Sequence, residues 1–378
     1  MRLNKINIIV ALASVLVITT MMFAGCSAKA ADTSQAESPV IEYDNDDDGE
    51  DVDVVPAKAI SEDGEYTLTG KIDGQILVTA EDVTLILDSA EISCEEASAI
   101  LGKDGNGADI QQNLTVELRG ESTITSGAKH GIQGKDDLTI TGTGTVNVSA
   151  VKDGLHAGDT LTVKDGTINI LESYEGMEAT NIVISGGNST VNSSDDGLNA
   201  TASEDDGKVT PSIKITDGTV ILYTESDGID SNGTLEVTGG TVGIFINVRG
   251  DGDPTDTERG GSILPAIYGE AQISGGPEIA VSDLWKFTVA KDATKFCLIL
   301  PGLVEGQSYE ISAGGQALSE VTATAAIQGM TMGGGDFGGG DQGSDVKGFG
   351  GAGGGGKERP EGTPPEGGRG QKPAGSTT

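Results

Sequence analysis

Apolar and polar residues alternate in short runs along the middle of the chain: TLTG, ILVT, VTLILD, LTVELRG, LTITG, LTVKDG, IVISGG, IKITDG and LEVTGG. A period of two predicts half-buried β-strands, and glycine- and aspartate-bearing turns punctuate them. No convincing helical period interrupts the series between residues 58 and 331, so the expected class is all-β. Past about residue 262 the alternation continues but the spacing changes, and LWKFTVAKDATKFCLILPGLVEGQSYEISAGG (284–315) reads as antiparallel strands.

The strands recur at a fixed interval. Leu138, Leu161, Ile182, Ile213 and Leu235 are separated by 23, 21, 31 and 22 residues. A second marker is an acidic phrase around a glycine: KHGIQG, KDGLHA, YEGMEA, DDGLNA and SDGIDS. Its glycines, Gly131, Gly154, Gly176, Gly197 and Gly228, are separated by 23, 22, 21 and 31. Both series lengthen at the same place, where ASEDDGKVTP is inserted. SAILGK (98–103) matches KHGIQGK (129–135) one repeat earlier. A unit of this size cannot bury its own apolar edge, whereas stacked units cover one another. Short parallel strands without helices predict a right-handed parallel β-helix. A leucine-rich repeat has a similar unit length, but its asparagine-bearing consensus is missing. The antiparallel segment that follows is expected to cap the open end, with Trp285 as part of that cap or, alternatively, as a platform for sugar stacking.

Stacking turns a repeated residue into a column with a spacing of about 4.8 Å. Asp153, Glu175, Asp196 and Asp227 precede the glycine; His156, Glu178, Asn199 and Asp230 follow it by two positions. The residues between, Leu155, Met177, Leu198 and Ile229, are expected to point into the core. Two columns of oxygen donors are thus expected on the outside, with Asp195 beside them. Carboxylates this close either hold protons or recruit a cation. Calcium accepts six to eight oxygens from such side chains, so Ca2+ is the expected ion, and solvated turn acids are the competing reading. The near absence of Cys and His from the columns disfavours zinc. His130 and His156 are read as surface turn residues. Cys94 and Cys297 are read as separate small apolar residues rather than a disulfide.

Composition sets the context. The formal net charge is −36 and aromatics make up 3% of the 378 residues. A chain this acidic excludes a phosphate-neutralising face, so no nucleic-acid partner is expected. Arg2 and Lys5 precede an apolar run at 8–25 that ends in FAGC, which reads as a lipoprotein signal with Cys26 as the lipidated residue; an uncleaved anchor and an ordinary secretory signal are the alternatives. Every version places the body outside the cytoplasm, the lipid anchoring it to the cell membrane or surface. The expected organisation is a signal peptide at 1–25, an acidic linker at 26–57, the parallel β-helix at 58–261, the cap at 262–331 and a disordered Gly-rich tail at 332–378. DNDDDG at 44–49 starts like a calcium loop, but Val55 stands where a glutamate is needed, so it belongs to the acidic linker.

The tandem of YEGMEATNIVISGG (174–187) and DDGLNA (195–200) resembles a bacterial carbohydrate-binding β-helix family, whose members are secreted or lipid-anchored and similar in shape to pectate lyases. The resemblance spans roughly residues 60–320. It implies a calcium-binding β-helix that attaches to acidic plant cell-wall polysaccharide, chiefly polygalacturonate (pectin), with cellulose as a second candidate. The matching acids are Asp153, Glu175, Glu178, Asp195, Asp196, Asp227 and Asp230. A non-catalytic, monomeric binding protein is the leading expectation. The alternatives are a calcium-dependent pectate lyase, with Lys152 or Lys129 as the base for the C5 proton, and a structural adhesin stiffened by calcium.

Overall fold

The computed structural model describes residues 54–105, 110–202, 209–247, 252–276, 278–282 and 285–324. Cys26, the signal segment, nearly all of the acidic linker and the Gly-rich tail lie outside these residues. Every regular element among the described residues is a β-strand, as the alternation predicts.

Three parallel ladders carry the core. One joins Val83, Leu114, Leu138, Leu161, Ile182, Ile213 and Leu235 in register. The leucines and isoleucines spaced along the sequence are therefore direct neighbours, the ten-residue insertion included. A second joins Ile92, Ile124, Val148, Ile170, Val191, Leu222 and Ile244. The third joins Ile76, Ile100, Ile132, Leu155, Met177, Leu198, Ile229 and Thr255. Their aliphatic side chains form one continuous buried cluster. Each such side chain removed from water contributes about 1.5–3 kcal/mol. The β-branched and leucine side chains suit a pleated surface buried on its inner face and wet on its outer one.

Glycine in the acidic phrase answers to close stacking. A Cβ on Gly176 would sit 2.3 Å from the Gly197 carbonyl and 2.3 Å from Val191 Cγ1. The next repeat's backbone occupies the space a side chain needs, and the same holds at Gly197, 2.6 Å from the Gly228 carbonyl.

Parallel pairing ends where the sequence period ends. Gly261–Ile263 is the last parallel partner of Thr234–Val237. Thr241–Ile246 pairs instead with the antiparallel strand Ala293–Ile299, which also pairs with Ala266–Ile273. The hydrogen-bonding edge of the last long parallel strand is thereby covered. Four further strands, Glu278–Val281, Trp285–Thr288, Ser308–Ala313 and Gln316–Thr322, form a separate antiparallel sheet. Its core includes Tyr223, Phe245, Phe296 and Tyr309. Trp285 packs edge-on against Phe287 at 5.7 Å between centroids and flanks this core. Cys94 and Cys297 are both buried and free, as expected of separate apolar residues.

Candidate metal centre on the acidic ladder

The third ladder positions the acids. Gln133, His156, Glu178, Asn199, Asp230 and Asp256 occupy successive register positions along it. Leu155, Met177, Leu198 and Ile229 alternate with them and are wholly buried, as their place in the phrase predicts. The residues before the glycine also stack: the amides of Gly131, Gly154, Gly176, Gly197 and Gly228 donate to the carbonyls of Asp153, Glu175, Asp196, Asp227 and Asp253. Lys129, Lys152, Tyr174 and Asp195 form a third backbone column beside them.

The expectation of two outward columns needs correction. The residues before the glycine sit in the turn ahead of the strand, so strand alternation does not govern them. Asp153, Glu175 and Asp196 are 4%, 8% and 8% exposed, buried rather than external. The corner folds their carboxylates toward the column three residues on. As a result Asp153, Glu175 and Glu178 present carboxylate oxygens within 4.8 Å of one another, and so do Asp196, Asp227 and Asp230. Asp195 joins neither group. Asn199 stands in register between Glu178 and Asp230, and its Nδ2 donates to Glu175 Oε1 at 2.8 Å and Oε2 at 2.9 Å. Its Oδ1 is buried with no hydrogen-bond donor.

The histidines also depart from expectation. His130 is buried, and its ring lies 4.5 Å from that of His156. Both turn Nδ1 toward Asp153 Oδ2, each at 2.9 Å. A surface-turn role fits neither ring. The repeat sets His130 one level from Asp153 before the glycine and His156 in the column after it, but only the stacking of the two repeats turns both rings onto one carboxylate.

Proton affinities follow from the crowding. Burial, then the charges of Asp195 and Asp227, pushes Asp196 up to about 8. Burial foremost also raises Asp227 and Asp230, each to about 6. Burial, then contact with Glu178, holds Glu175 far above the usual carboxylate range. Burial pushes Asp153 the same way, but the charge of His130 and contacts with both imidazoles outweigh it and hold this carboxyl below its ordinary value. Part of the crowding is relieved by main chain: the Asp227 amide donates to Asp196 Oδ1 at 2.9 Å, and the Asp253 amide donates to Asp227 Oδ1. The acid before the glycine thus has a structural task as well, accepting the next repeat's amide.

Two ligand candidates escaped sequence reasoning. Asp253 and Asp256 continue the two columns by one level. The signal was present, since DPTDT at 253–257 keeps the spacing of DGIDS at 227–231, with proline in the glycine position. Lys295 could not have been found: it arrives from the antiparallel segment, with Nζ 3.1 Å from Asp253 Oδ1 and 2.7 Å from the Gly252 carbonyl. It supplies the counter-charge at that end of the acid series. On another ladder, Asn113, Thr115, Asp137, Thr139, Thr160 and Thr162 line a shallow depression of about 180 Å³. That is smaller than the roughly 300–1,000 Å³ of a small-molecule pocket, so it suits surface contact rather than engulfment.

Residues 56–283, well over half the chain, match the family model described as carbohydrate-binding domain-containing protein. The chain belongs to that family. This carbohydrate-binding-domain protein has no match among curated proteins. Among solved structures it is similar to a polysaccharide lyase-like protein from C. thermocellum, with 22% identity and a TM-score of 0.45 over 54% of this chain and 88% of that one. In this family member the matched region takes in all three parallel ladders and both carboxylate groups.

Proposed function

We propose that this protein is a surface-tethered, non-catalytic carbohydrate-binding protein built on a right-handed parallel β-helix, which holds calcium on its acidic ladder and grips acidic polysaccharide through that ion. The observation carrying the reading is the Asp196–Asp227–Asp230 group, three carboxylates within 4.8 Å. Such a group is unfavourable unless protonated or neutralised by a cation. The donors are all oxygens, with the orphaned Asn199 Oδ1 nearby, which suits calcium's demand for carboxylate and amide oxygens. Family membership supports a carbohydrate as the partner. A net charge of −36 repels polyuronate; calcium held on the ladder reverses the local sign and bridges protein and sugar carboxylates. Polygalacturonate is the proposed ligand, with cellulose the second candidate. Cys26 is the proposed lipid attachment that keeps the body outside the cytoplasm.

The test is retention of the full chain on polygalacturonate and on cellulose, with calcium and with chelator. Calcium-dependent retention on polygalacturonate, weakened by Asp227→Asn, is the expected result. Retention that ignores both chelator and substitution would move the binding site elsewhere. Ultraviolet absorbance of the same mixtures checks for unsaturated products, which a lyase would release and a binding protein would not.

A further inference from the structure

Midway along the third ladder, where the acid series begins, nitrogen and oxygen donors are mixed. His130 precedes Ile132–Gly134, Asp153 precedes Leu155–Val163, His156 lies within that strand, and Glu178 lies in Met177–Ser193. His130, Asp153 and His156 bring donor atoms within 4.8 Å of one another from two successive repeats, and Glu178 adjoins them from the next. His130 Nδ1 and His156 Nδ1 each stand 2.9 Å from Asp153 Oδ2, and His156 Nδ1 stands 3.5 Å from Glu178 Oε1. The His130 side chain is only 8% exposed. Its Nδ1 nevertheless has no hydrogen-bond partner: the Asp153 carboxylate is close but off the line of an N–H donor, whereas His156 Nδ1 and Asp153 Oδ2 do make a hydrogen bond. An imidazole nitrogen aimed at a carboxylate without hydrogen-bond geometry is placed as a metal ligand is placed.

We propose that His130, Asp153, His156 and Glu178 form a site for a divalent first-row transition ion, zinc in particular, separate from the all-oxygen group at Asp196, Asp227 and Asp230. Calcium and magnesium take oxygen donors, whereas imidazole with carboxylate suits zinc, copper and nickel. Tetrahedral zinc with bonds of about 2.0–2.1 Å sets its ligand atoms roughly 3.3 Å apart. The spacings of 2.9, 2.9 and 3.5 Å bracket that value. His130 and Asp153 form the buried floor, while His156 and Glu178, 21% and 23% exposed, leave the ion an entry path. Bound there, the ion ties three repeats together and gives the buried His130 Nδ1 a directed bond in place of its charge contact with Asp153. The site shares Asp153 and Glu178 with the first carboxylate group, but it shares no donor with the Asp196, Asp227 and Asp230 group that carries the calcium reading.

The full chain, purified in detergent without a polyhistidine tag and stripped with chelator, is titrated with Zn2+ in the presence of excess Ca2+, and separately with Co2+ under visible absorption. One equivalent of zinc that calcium does not displace is expected, with the d–d bands of low-coordinate cobalt. His130→Ala lowers zinc affinity by at least ~100-fold, since even residues that only orient ligands cost 10–100-fold. His156→Ala, at the more exposed position, does the same while keeping the strand-type circular dichroism. Asp227→Asn leaves zinc binding unchanged. The proposal is overturned if the native chain takes up no stoichiometric zinc, or if folded His156→Ala binds it as tightly as the native protein. Calcium-dependent retention on polygalacturonate, followed in the same variants, reports on the calcium reading alone.

Discussion

Asp227 shows how a single side chain serves both the fold and the site. It accepts the Asp253 amide, stands in register beside Asp196, and shares its surroundings with Asp230. In the absence of a cation its charge opposes those of its neighbours. Asp227→Asn is therefore expected to raise the melting temperature of chelated protein near pH 8 and to shrink the further rise that calcium produces; thermal unfolding with and without calcium checks both. The pH dependence has a definite sign. Asp196, Asp227 and Asp230 have native pKa values of about 8, 6 and 6, above the roughly 3.9 of an unfolded aspartate. The native state thus binds more protons than the unfolded one between about pH 4 and 8, and stability must fall as pH rises through that window. Calcium-free protein is expected to melt at lower temperature at pH 8 than at pH 5. Saturating calcium flattens the dependence, because the ion replaces the protons.

At the scale of the element, the tight phrase at each corner is where stacking is least forgiving. Gly176 has no room for a methyl group between Val191 and the Gly197 carbonyl. Because the obstruction is partly backbone, it cannot rotate away. Gly176→Ala is expected to cost about 1–3 kcal/mol, the range for overpacking, measured as a lower denaturant midpoint. On the inner side of the same ladder, Leu198 is wholly buried between Met177 and Ile229. Leu198→Ala is expected to cost about 2–5 kcal/mol by leaving a cavity. A loss below about 1 kcal/mol would mean that neighbouring repeats close the gap.

At the scale of the molecule, charge decides what can approach. With a net charge of −36, attraction to polyuronate is local to the ions and opposed by everything around them. Retention on polygalacturonate at fixed calcium is expected to strengthen as sodium chloride is raised to moderate concentration, because salt screens the repulsion acting beyond about a Debye length more than the direct contacts at the ions. Retention on uncharged cellulose is expected to change little in the same series. The acid series ends at Lys295 from the antiparallel segment, which also covers the edge of Thr241–Ile246. One segment thus closes both the hydrogen-bond ladder and the column of negative charge.

The all-β class, the parallel register and the buried row from Leu155 to Ile229 were legible in the sequence, because each follows from a period: two along the strand, and about 22 between repeats. The residues entering the acidic columns were legible for the same reason, apart from Asp253 and Asp256, where proline replaces the marking glycine. Only the tertiary structure decided how those residues use their positions. Whether a residue before the glycine is outside or buried depends on the path of a turn, which alternation does not govern. Whether two histidines 26 residues apart share one carboxylate depends on how closely two repeats stack. The counter-charge from Lys295 comes from a segment with no period, and only the folding back of that segment sets it beside Asp253.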